Sequence, residues 1–106
     1  MTLKPPSEIA TMADLRVQID QIDRDLIALL AIRQSHVDRA AELKPSEGLP
    51  ARIATRVTDV LDKVEAAADR SGFDAALARE MWALMIEEMI AREEKVLGPS
   101  SEETQP

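Results

Sequence analysis

The 106-residue chain has no cysteine and no tyrosine, and its aromatic side chains are Phe73 and Trp82 alone. Without thiols it can build neither a disulfide frame, nor a thiolate metal site, nor a cysteine nucleophile. A single histidine, His36, also removes the commonest zinc constellations, and no spacing suggests a metal or organic cofactor. No glycine-rich phosphate loop, HExxH pair, nucleophile elbow or plausible Ser-His-Asp set is present. No apolar run approaches the ~20 residues needed to cross a bilayer, and the first twelve residues lack the pattern of a signal peptide. The cytoplasm is the expected compartment, and no membrane partner is expected.

Basic residues are also in deficit, 13 against 20 acidic ones, for a formal net charge of −7. Such a surface repels nucleic acid and anionic membranes. It still permits a small anionic ligand where a few cations converge.

What remains is a helix-forming composition. Apolar residues make up 45% of the chain, with only three glycines, and the abundance of Leu, Ile, Ala, Met, Glu and Arg favours helix over strand. The expected fold is all-α with no sheet. Residues 1–10 and 99–106 are rich in proline or polar side chains and are expected to be flexible tails. The domain is expected over residues 11–98.

Three helices are expected there. The first opens on the Thr11–Asp14 capping pattern and runs without Gly or Pro to Lys44, with Leu15, Ile19, Ile22, Leu26, Leu29, Val37 and Ala40 on one stripe. At 1.5 Å per residue it would be roughly 48 Å long, too long for two shorter helices to cover, so a second copy of the chain is expected. The second follows the Pro45–Pro50 break, with Pro50 in its first turn, carries Ile53, Val57, Val60, Leu61 and Val64, and stops near Gly72. The third starts at Asp74 and ends before Gly98, with Leu77, Met81, Trp82, Leu84, Met85, Ile86, Met89 and Ile90 on its stripe.

Four polar residues interrupt or border these stripes. Arg33 falls where an apolar residue belongs, and Lys44 returns to within about 20° of it and roughly 16 Å along the helix, so the two share a face. Either could instead snorkel to solvent. Arg16 lies about 100° round the helix and more than about 20 Å from Arg33, so one chain cannot bring all three together, whereas two antiparallel copies could. Arg56 borders the second stripe, with Arg52 the more exposed-looking alternative. Glu93 lies on the apolar seam of the third helix, while Glu87, Glu88 and Glu94 read as a solvated face. A cationic pocket with one carboxyl group and no nucleophile suits a reaction in which an anion is held in one shape while charge shifts within it.

The run from Leu15 to Arg33 (LRVQIDQIDRDLIALLAIR), with Lys44 eleven residues on, resembles the first helix of the all-helical chorismate mutases. The likeness extends through Pro50 and Arg56 to about Leu97. It implies an intertwined homodimer of three-helix subunits with two shared sites, converting chorismate to prephenate in aromatic amino acid synthesis. It further implies that Arg33, Lys44 and Arg56 come from one subunit and Arg16 from the other. The arginines would clamp the substrate's two carboxylates. Lys44 and the third-helix residue would donate hydrogen bonds to its ether oxygen. That third-helix residue is Glu93, where well-studied members have Gln, and a carboxylate must be protonated to donate. Acidic residues common in mutases are replaced by Ile53 and Val57, and a serine by Met89. Val57 and the loop from Lys44 to Pro50 resemble the related isochorismate-pyruvate lyases. An isochorismate lyase, and a non-catalytic dimeric helical module, therefore stand as alternatives.

Overall fold

The computed structural model describes residues 2–99. Among them there are three α-helices and no strand: α1 (Met12–Leu43), α2 (Ala54–Ser71) and α3 (Ala75–Leu97), with 3-10 turns at Pro6–Glu8 and Lys44–Glu47. The expected C-terminal tail lies outside the described residues from position 100 on.

The helix ends follow local chemistry. The Thr11 hydroxyl accepts from the Asp14 amide at 3.1 Å, and the Asp74 carboxylate accepts from the Leu77 amide at 3.0 Å, each satisfying an amide that its helix cannot. Pro45, lacking an N–H, tightens the end of α1 into the 3-10 turn, which closes on Gly48 at φ 69°. Gly72, at φ 79°, lets α2 stop by returning its amide to Ala68 and Asp69. Helix α2 begins four residues later than the expected start at Pro50. Residues 50–53 are non-helical, with Ile53 extended, and the buried Ala51 is drawn into tertiary contacts instead.

The chain forms two compact units, one ending at Ser35 and the other beginning at His36. In the first, the N-terminal segment is tied to α1 reciprocally. The Lys4 amide donates to Gln18 Oε1 at 3.0 Å, and Gln18 Nε2 donates to the Lys4 carbonyl at 2.9 Å. Val17, Ile19, Leu26, Ile27, Leu29 and Ile32 of α1 are all exposed.

The second unit has a core of Ala51, Ile86 and Ile90, against which Val57, Val60, Leu61, Trp82 and Leu97 pack. Burying one such isoleucine stabilises by about 1.5–3 kcal/mol. On α3 the buried residues are Ala78, Ile86, Ile90 and Glu93, which with the half-buried Trp82 and Leu97 make a stripe at three- and four-residue steps, while Met85 and Met89 are half-buried beside it. Leu77, Met81 and Leu84, expected on that stripe, are exposed. The helix is apolar on more than one side, so periodicity alone did not select the buried face.

Candidate functional site

Helix α3 is the reference rod of the second unit, because each neighbouring element sends a cation or an anion to it. Arg92 clasps Asp38 at the end of α1 with Nε and Nη2, at 2.6 and 3.0 Å. Arg52, in the segment before α2, clasps Glu87 with Nη1 and Nη2, at 2.9 and 2.6 Å. Arg79 reaches Asp62 and Glu65 of α2 at 3.1 and 2.8 Å. The hydrogen bond from Arg92 holds the Asp38 carboxyl below the usual range, and that from Arg52 does the same for Glu87.

One pair differs from these in its burial. Lys44 Nζ donates to Glu93 Oε2 at 2.6 Å and to the Ala51 carbonyl at 2.8 Å. The two side chains are 16% and 8% exposed, and Glu93 is the buried charged residue among those described. Desolvating two charges costs about as much as their attraction returns, and hydrophobic replacements are often neutral or stabilising by about 1–4 kcal/mol. Stability alone therefore does not account for the pair. An ammonium carries three donors; two are engaged here, leaving the third for a ligand atom.

The structure thus brings together two of the five candidate residues, Lys44 and Glu93, from positions 49 apart in sequence. Arg56 is exposed on α2 and donates to Asp59 at 2.6 Å, where Lys63 also donates at 3.0 Å. Those two cations, Lys63 foremost, hold the Asp59 carboxyl below its usual range. An exposed pair of this kind contributes little, so Arg56 can exchange Asp59 for a ligand anion at small cost. Arg16 and Arg33 belong to the first unit. Arg16 is exposed, two residues before Gln18, and Arg33 is half-buried.

Arg52 reverses an expectation. Its side chain is 27% exposed against 61% for Arg56, so the arginine expected to be more solvated is the better covered. Its bond to Glu87 spans 35 positions, beyond any helical spacing rule. The same holds for the Ala51 carbonyl, a backbone atom that no residue pattern marks. Among the described residues no cluster of His, Cys, Asp and Glu could hold a metal ion, and no helix is long and apolar enough to cross a membrane.

Residues 15–94 match the family model described as chorismate mutase type II. The chain is 33% identical over 94 residues to an isochorismate pyruvate lyase of Pseudomonas aeruginosa, covering 88% of this chain and 91% of that protein. It is 28% identical over 97 residues to a chorismate mutase of Methanocaldococcus jannaschii, covering 92% and 94%. Similarity to the T-protein of Haemophilus influenzae, 31% over 87 residues, takes in 82% of this chain but 23% of that longer protein.

Proposed function

The chain belongs to the chorismate mutase type II family, and from that premise we propose that it is a cytoplasmic isomerase that rearranges chorismate to prephenate. The observation that carries this reading is the buried Lys44–Glu93 pair. In the rearrangement the ether C–O bond breaks as a C–C bond forms within one molecule, so the protein supplies neither nucleophile nor redox partner. Negative charge grows on the ether oxygen. The remaining N–H of Lys44 donates to that oxygen, an interaction stronger in the transition state than in the ground state, while Glu93 holds the ammonium in place and completes the catalytic pair. Arg33 and Arg56, with Arg16 from a second copy of the chain, hold the two carboxylates and fix the reactive conformation.

The second copy is also supported by the exposed apolar residues of α1. A soluble chain that leaves Val17, Ile19, Leu26, Ile27, Leu29 and Ile32 in water is expected to cover them by association.

Isochorismate-pyruvate lyase is the second reading. Val57 packs against the core cluster and Ile53 is half-buried, so neither position offers an acid to a ring hydroxyl, and the Pseudomonas aeruginosa relative carries the lyase name. A non-catalytic module gains support only if Arg33 and Lys44 are snorkelling residues, and Lys44 Nζ is turned inward onto Glu93 and Ala51.

Incubating the purified chain with chorismate and, separately, isochorismate tests both readings. Prephenate from chorismate is the expected product; salicylate and pyruvate from isochorismate alone would establish the lyase.

A further inference from the structure

We propose that Arg52 and Glu87 are positioning residues for Lys44, anchoring the segment whose Ala51 carbonyl, together with Glu93, aims the lysine ammonium. The proposal rests on the reading of Lys44 as a donor to the substrate. Lys44 Nζ has two acceptors, one on a helix and one in a non-helical segment. Glu93 projects from α3, a regular helix. Ala51 packs with Ile86 and Ile90 through its methyl group but lies in residues 50–53, which belong to no helix, so the direction of its carbonyl gains from a further restraint.

The adjacent residue supplies one. Arg52 meets both oxygens of Glu87 through two nitrogens, and a two-point contact between planar groups fixes direction as well as distance. Glu87 follows the core residue Ile86 on α3 and precedes Glu93 by six residues, about 9 Å along the same helix. Both acceptors of Lys44 are thereby referenced to α3, one directly and the other through Arg52. With 27% and 54% of these side chains exposed, the pair adds little to stability. Its consequence is geometric.

Arg79, which ties α3 to Asp62 and Glu65 of α2, is the natural control. It is the same type of interaction, but it makes no bond to the segment that holds Lys44.

The experiment compares Arg52→Lys, Glu87→Ala, the charge-exchanged double variant R52E/E87R, Arg79→Gln and Lys44→Ala in the full chain. Each is assayed on whichever of chorismate and isochorismate the wild type consumes. Arg52→Lys and Glu87→Ala should lower kcat roughly tenfold with KM within about twofold, at melting temperatures matching Arg79→Gln. The exchanged pair should recover much of the loss, and Arg79→Gln should retain wild-type kcat. In parallel, nitrogen-15 NMR should show a slowly exchanging Lys44 ammonium in wild type and Arg79→Gln that broadens in Glu87→Ala. Equal kcat and equal ammonium spectra across the Arg52, Glu87 and Arg79 variants would overturn the proposal. So would a rise in KM confined to Arg52→Lys, which would make Arg52 a direct clamp on the substrate. Retained turnover in Lys44→Ala would instead refute the reading of Lys44 itself, while the ammonium spectra would still report whether Arg52 and Glu87 hold it.

Discussion

The two compact units of this chain solve the burial of a helix in opposite ways. In the unit beginning at His36, α3 loses Ala78, Ile86 and Ile90 to a core and is tied to its neighbours by ion pairs. In the unit ending at Ser35, α1 leaves six large aliphatic residues exposed, and its N-terminal segment adds two hydrogen bonds to one glutamine. The second unit holds the buried Lys44–Glu93 pair within contacts made by its own residues. The first carries Arg16 and Arg33 on a helix that leaves large apolar side chains exposed.

The contrast breaks most severely if α1 is denied a second copy to cover those side chains. Leu26→Glu should convert an associated species to single chains by sedimentation and abolish turnover with it; unchanged sedimentation would show that Leu26 is not covered by a second copy. Next in size is a comparison of isoleucines. Ile90→Ala, in the core, should cost about 2–5 kcal/mol in denaturant unfolding through lost contacts and a residual cavity. Equal costs for Ile90→Ala and Ile86→Val would contradict that packing, since the latter removes one methylene and should cost about 0.5–1.5 kcal/mol.

The smallest effect lies at low pH. The folded values of Asp38, Asp59 and Glu87 are depressed from ordinary values of 3.8, 3.8 and 4.5. Their contribution is therefore complete above those values and is lost as pH falls through the folded ones. The unfolding midpoint should hold steady from neutrality down to about pH 5 and decline below, with Asp38→Asn flattening part of the decline. An equal decline in that variant would detach Asp38 from it.

What could be read from sequence divides along the same line between local and distant contacts. Thr11, Asp74 and Gly72 act on amides and carbonyls within a turn of themselves, so residue type alone marked the helix ends. Glu93 was visible because three- and four-residue steps placed it on a seam with Ile86, Met89 and Leu97. The start of α2 was misplaced because the Ala51 carbonyl answers to Lys44, a tertiary demand that overrides the preference of Pro50 for a first helical turn. Arg52 and Glu87 were passed over as solvated for the same reason, since neither lies on its partner's helix. The pair of Arg56 with Asp59 is local and could have been read from its three-residue spacing.

The account depends above all on Lys44, held between Glu93 and Ala51, being the donor that stabilises charge on the reacting oxygen. The most direct measurement is the rate of prephenate formation from chorismate by Lys44→Ala against wild type, with folding of both verified by circular dichroism. Loss of roughly 10²–10³-fold in kcat from a folded protein is the expected result. A folded Lys44→Ala chain that forms prephenate at the wild-type rate would contradict it.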